Sequence, residues 1–116
     1  MRGEIEDLTS FVRTFAAVGK PVAAICAATL SLARAGLLDD HRHTSNGEGF
    51  ISKYVPEYRG QRLYQKVRAV TDGNVITANG LAPFAFAAEI FRRVAPDREN
   101  DIAIYEALYS RGLLDE

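Results

Sequence analysis

The stretch Val22-Ala23-Ala24-Ile25-Cys26-Ala27-Ala28-Thr29 decides how this chain is read. Four apolar residues without polar alternation run straight into a small-residue, helix-forming segment that opens on the chain's only cysteine. The pattern predicts a parallel strand over residues 22–25, covered on both faces, then a sharp turn that lifts the thiol onto the start of a helix over 27–35. Unpaired N–H groups and the helix dipole at such a position favour thiolate over thiol, and the thiolate attacks carbonyls or becomes oxidised. A lone cysteine among apolar residues is otherwise a small buried hydrophobe.

Working outward, Ile5, Leu8, Phe11, Val12 and Phe15 recur at helical spacing over 4–18, with Glu4, Glu6 and Asp7 in the first turn and Gly19 as the stop. Gly36 follows the helix after Cys26, Leu37-Leu38 tuck back, and Asp39-Asp40 form a turn. A short strand is predicted over 42–45, a mobile loop at Gly47-Glu48-Gly49 and a brief helix over 50–55. Strand-like runs at 62–70 and 74–78 flank Thr71-Asp72-Gly73, a hairpin signal, and Asn79-Gly80 ends the second of them. Pro83 opens a helix to Val94 that offers Phe84, Ala87, Ala88, Phe91 and Val94 to a core. A last helix spans 98–111, with Ile102, Tyr105, Leu108 and Tyr109 apolar and Gly112 as its stop. Strands alternating with helices predict a layered α/β sandwich in one domain over 1–116.

Net charge is −1 and the basic residues are scattered, so the chain lacks the footprint of a nucleic-acid binder. Arg92-Arg93 reads as compensation of a helix dipole. The longest uncharged stretch, 21–33, is too short and too polar to cross a bilayer, and the acidic start lacks a signal core. A cytoplasmic protein is expected, and a single cysteine agrees with a reducing compartment.

Residues 19–46 resemble the ThiJ/PfpI family of the class I glutamine amidotransferase-like superfamily. Lys20-Pro21-Val22-Ala23-Ala24-Ile25-Cys26-Ala27-Ala28 is similar to that family's nucleophile elbow, and Ala35-Gly36-Leu37-Leu38-Asp39 to the turn after it. Val70-Thr71-Asp72-Gly73-Asn74-Val75-Ile76-Thr77-Ala78-Asn79-Gly80 and the apolar helix beyond it resemble the family's hairpin and final core helix. The likeness covers residues from about 5 to 95. It implies a flavodoxin-like three-layer α/β/α sandwich, commonly a dimer, and a cysteine hydrolase or amidotransferase-like activity on a small amide, ester or aldehyde-derived substrate. Cys26 would be the nucleophile and the Ala27 backbone N–H an oxyanion donor, with Thr29, Asn46, Asn79 and Gly80 at the pocket. No cofactor is implied. Small residues at Ala24 and Ala28 suit the crowding of an elbow.

Two features depart from the family. Ala27 stands where many members place a histidine, and Asn46 where others end the next strand with one; His43, three positions earlier, should face the other side of an extended segment. Family members also begin with a strand-helix-strand region that supplies a glutamate at the cysteine and a glycine-rich turn. The fold is therefore expected to be incomplete at its N-terminus: a truncated or misread frame, or a minimal relative whose missing strands come from another chain. Without those partners Cys26 reads alternatively as a redox sensor or part of an interaction module. His41 and His43 read as surface or turn residues rather than metal ligands, because zinc needs at least three protein donors. Asp39-Asp40 reads as a solvated turn rather than a catalytic pair, Thr29 as a first-turn hydrogen-bonder or ordinary packing, and Asn79-Gly80 as site border or simple turn.

Overall fold

The computed structural model describes residues 2–108, with side chains from Leu8 onward. Three short strands, β1 (Val22–Ile25), β2 (Ala69–Asp72) and β3 (Val75–Ala78), form one sheet in the order β1-β3-β2. β1 runs parallel to β3, with Val22 opposite Val75 and Ile25 opposite Ala78, and β2 is antiparallel to β3. The helices are α1 (Arg2–Ala17), α2 (Thr29–Arg34), α3 (Phe50–Tyr54), α4 (Pro83–Val94) and α5 (Glu99–Ala107). Residues 109–112, including Tyr109 and the glycine stop of the last predicted helix, lie outside the described residues.

Alternation along the strands sorts the helices into layers. Val22, Ala24 and Val75 share one face and pack with Leu32, Leu38, Ile51, Val55 and Tyr58, reached by Val12 of α1 and Leu30 of α2. Ile76 and Ala78 point the other way, where Ala85 and Ala88 of α4 are buried, and Thr71 on that face donates to Glu89 of α4 at 2.6 Å. The sheet is thus held between α1–α3 and α4, an α/β sandwich as read from the sequence.

Both early helices close as their glycines predicted. Gly19 (φ +76°) and Gly36 (φ +83°) adopt the left-handed conformation, and the following N–H groups of Lys20 and Leu37 reach back to Phe15 and Leu32 carbonyls at 3.0 and 3.1 Å.

Several local expectations are corrected. β1 is an edge strand, and on its second face Ala23 is exposed and Ile25 only partly buried, so that face is incompletely covered. Over 42–45 the backbone makes a single parallel bridge, His43 to Tyr64, instead of a strand, because Thr44 N–H is taken by the Thr77 hydroxyl. Residues 61–63 coil into a 3-10 turn, so the strand expected over 62–70 starts only at Ala69. Asp72 pairs with Val75, which places Gly73-Asn74 at the hairpin tip, with Gly73 at φ +61° supplying the turn. On α1, Val12 packs against the core and Thr9 is buried, while Leu8, Phe11, Phe15 and Val18 are exposed. Phe91 and Val94 of α4 are exposed as well. Arg92 does more than offset a dipole, because it bonds Glu89, Glu99 and Glu106 at 2.7–2.9 Å and so ties α4 to α5.

His43 is fully buried and sits in a β-bridge, contrary to its reading as a surface or turn residue. Its Nδ1 lies 2.7 Å from the His41 carbonyl, which can only accept, so Nδ1 carries the proton and Nε2 accepts from the Tyr58 hydroxyl at 2.6 Å. Burial pushes the His43 pKa below its ordinary 6.5, and pushes the Tyr58 hydroxyl up to about 12. The folded state therefore holds a neutral imidazole, and its stability is present above the unfolded value and lost as pH falls toward the folded one. Urea titrations between about pH 7 and pH 5 should show wild type losing up to ~1.4 kcal/mol per pH unit more than His43→Gln; equal slopes would remove His43 from the acid response.

Candidate active site

Cys26 lies at the carboxyl tip of β1, where open α/β sheets place their ligands. Ile25 is still extended (φ −126°, ψ 146°), but Cys26 swings to φ +60°, and residues 26–28 wind into a 3-10 turn that feeds α2. Among the described residues Cys26 is the one non-glycine at positive φ. That conformation costs an L-residue about 1–2 kcal/mol. Its effect is to turn the side chain out of the strand line, and the thiol is exposed.

Two sets of contacts hold the turn. Beneath it, the Thr29 hydroxyl donates to the Cys26 carbonyl at 2.8 Å. With its one proton so used, Thr29 Oγ1 must accept from the Ser45 hydroxyl, 2.7 Å away. Thr29 and Ser45 are both wholly buried, where such a bond is strongest and its loss most costly. Above the turn, Gly80 N–H donates to Asn46 Oδ1 at 3.0 Å, which leaves the amide's Nδ2 to donate to Cys26 Sγ at 3.3 Å. Gly80 comes so close that a β-carbon there would sit 2.9 Å from Sγ and 3.0 Å from Asn46 Oδ1. A side chain at this position would have to displace the thiol or the Asn46 amide.

Of the residues singled out from the sequence, Cys26, Asn46 and Gly80 therefore meet directly. Ala27 follows Cys26 in the exposed turn. Asn79 lines a neighbouring cleft of about 520 Å³ together with Thr44, Tyr64, Arg68 and Leu81. Thr29 lies under the turn rather than in the cleft, bonded within its first turn as one of its two readings had it. Ser45 was missed: nothing in local periodicity marks a hydroxyl that acts on a residue 16 positions away.

The imidazoles are elsewhere. His43 faces Tyr58, and His41 Nδ1 is 2.8 Å from both the Leu37 carbonyl and Asp40, so neither of the chain's two histidines serves Cys26. Asp39 and Asp40 are exposed, and Asp39 caps Arg59 N–H at 2.9 Å. Among the described residues no three His, Cys, Asp or Glu side chains gather as a metal site, and no helix is long and apolar enough to cross a membrane.

A strand-tip cysteine at positive φ, at the end of a parallel strand pair in a small mixed sheet flanked by helices, defines the class of protein. Residues 3–93 match the model of the DJ-1/PfpI family, and the chain belongs to it. It is 43% identical over 83 residues to the uncharacterized protease YoaZ of Bacillus subtilis (strain 168), covering 69% of this chain and 40% of that protein. It is 37% identical over 97 residues to the uncharacterized protease YdeA of the same organism, covering 84% of this chain and 49% of that one. The thiJ/pfpI family protein from Bacillus anthracis superposes with a TM-score of 0.81 at 32% identity, over 91% of this chain and 50% of that one. The DJ-1 superfamily protein Atu0886 from Agrobacterium tumefaciens gives 0.76 at 38% identity, over 90% and 57%. The fold is thus that of the flavodoxin-like DJ-1/ThiJ proteins, and the chain spans about half the length of these relatives.

The buried hydroxyl pair gives a direct test. Thr29→Val keeps the shape but leaves the Ser45 hydroxyl without its acceptor, so urea denaturation should show a loss of about 1–3 kcal/mol. A loss within ~0.5 kcal/mol of zero, as at an ordinary surface site, would mean the pair does not hold the turn.

Proposed function

We propose that Cys26 is the nucleophile of a hydrolase acting on a small amide, ester or aldehyde-derived substrate. The observation that carries this is an exposed thiol on a residue held at φ +60° at a strand tip, with the Asn46 amide donating to the sulfur, which supports reading the turn as a nucleophile elbow. The sulfur attacks the acyl carbon, forming a C–S bond as the carbonyl π electrons move to oxygen, with the Ala27 N–H as donor to that oxygen. Collapse expels the amine or alkoxide, and water then cleaves the thioester to return the thiol. The names of the two Bacillus subtilis relatives, both proteases, support acyl chemistry over other thiol reactions. Asn46 holds the sulfur but has no basicity, so the proton is moved by a group other than the chain's two histidines.

In this reading Thr29 supports the elbow, while Asn46, Asn79 and Gly80 border the pocket. The protein functions as a homodimer, an assignment supported by the exposed Leu8-Phe11-Phe15-Val18 stripe and the open edge of β1. We place it in the cytoplasm, as a single domain with no cofactor.

A second reading, a redox-sensing or interaction module, is favoured by the distance of both imidazoles from the thiol. Here a peroxide takes two electrons from the sulfur, which keeps one peroxide oxygen as sulfenic acid while the other leaves as water or an alcohol.

p-Nitrophenyl acetate separates the two. The first reading predicts a burst of nitrophenolate with one acetyl group on Cys26 by peptide mass mapping, both absent in Cys26→Ala. A protein that stays unacylated yet forms sulfenic acid at Cys26 with hydrogen peroxide contradicts it in favour of the second.

A further inference from the structure

We propose that the cleft beside Cys26 is a carboxylate-recognising subsite, with Arg68 as its specificity-determining residue. The inference rests on the nucleophile reading of Cys26 and names the substrate class that nucleophile would take: acyl compounds bearing a free carboxylate a few bonds from the reacting carbonyl.

The strand order sets the geometry. Ile25 and Ala69 flank Ala78 from opposite sides of β3, so one residue further on Cys26, Asn79 and Arg68 stand in a row across the carboxyl end of the sheet. Asn79 N–H donates to the Arg68 carbonyl at 2.9 Å, which fixes the third member of that row. With strands ~4.8 Å apart, Cys26 and Arg68 are roughly 10 Å apart at Cα, and an arginine side chain shortens the remaining gap. The Asn46–Gly80 hydrogen bond stands between the sulfur and the cleft: Asn46 precedes lining residue Gly47, and Gly80 sits between lining residues Asn79 and Leu81.

The lining selects the charge. Lys66 and Glu48, both highly exposed, pair at 3.4 Å and cancel each other. Arg68 has no ion-pair partner among the described residues and keeps its guanidinium for a ligand. The other polar groups are partly used: Thr44 donates to the Val67 carbonyl, Tyr64 to the Ser45 carbonyl, and Asn79 Oδ1 accepts from Leu81 N–H. Asn79 Nδ2 remains a donor, so the cleft offers donors to an anion at one end. Leu81, 94% exposed, and Val67 supply apolar surface for the body of the ligand. At about 520 Å³ the cleft suits a small molecule.

Two alkylating reagents of equal reach read this without a known substrate: N-iodoacetyl-β-alanine, which carries a carboxylate, and its neutral amide. In each the Cys26 sulfur displaces iodide, one C–S bond forming as one C–I bond breaks. The ratio of their rates on folded protein, divided by the same ratio in urea, should favour the carboxylate about tenfold. Arg68→Ala should return it to near one, while the double variant Glu48→Gln/Lys66→Met, which removes both members of the exposed pair and leaves the net charge of the cleft unchanged, should leave it high. Equal rates for the two reagents, or an advantage that survives Arg68→Ala, overturns the subsite and leaves the nucleophile standing. Failure of both reagents to label folded Cys26 overturns the nucleophile and the subsite together.

Discussion

The site depends on one strained residue. Cys26 keeps a β-carbon in a backbone conformation that glycine adopts freely and other residues avoid, and only the surrounding contacts can hold it there. Those contacts come from three separate parts of the chain: Thr29 from the first turn of α2, Ser45 and Asn46 from the segment after His43, and Gly80 from the end of β3. The parallel pairing of β1 with β3 brings the last of these to the first, because Ile25 opposite Ala78 sets the two strand ends side by side. Register, turn and thiol exposure are one arrangement.

The buried His43–Tyr58 pair belongs to the same arrangement at one remove. His43 bridges to Tyr64 and faces Tyr58, and Gly60 leaves no room for a side chain between the Leu38 carbonyl and the imidazole. This anchors the segment whose next residues are Thr44, Ser45 and Asn46. A histidine three positions from the thiol's amide partner thus acts on the scaffold, and its neutral state is part of folding.

Much of this was legible in the sequence because it is local. The apolar run 22–25, the small residues after Cys26, Gly19 and Gly36 as helix stops, and Pro83 as a helix start each carry their own conformational reason. Asn46, Asn79 and Gly80 were marked as site residues through family likeness, and two of them meet Cys26. What stayed hidden depends on contacts between distant segments. Ser45 has no periodic signature, and Arg68 gains meaning only once β2 lies beside β3. The buried state of His43 is set by Tyr58, 15 residues away. The outer residues of α4 stayed hidden for a related reason: spacing finds an apolar stripe but not what lies against it, and Phe91 and Val94, expected at a core, are exposed.

The most direct measurement compares the stabilities of Cys26→Gly and Cys26→Ala by urea denaturation. Within an element, glycine is ordinarily less stable than alanine by about 0.5–1 kcal/mol. With residue 26 held at φ +60°, glycine relieves the strain that alanine retains, so the glycine variant should equal or exceed the alanine variant. A glycine variant weaker than the alanine variant by the ordinary margin would show that the cysteine backbone is not held in this turn, and the presentation of its thiol would lose its physical basis.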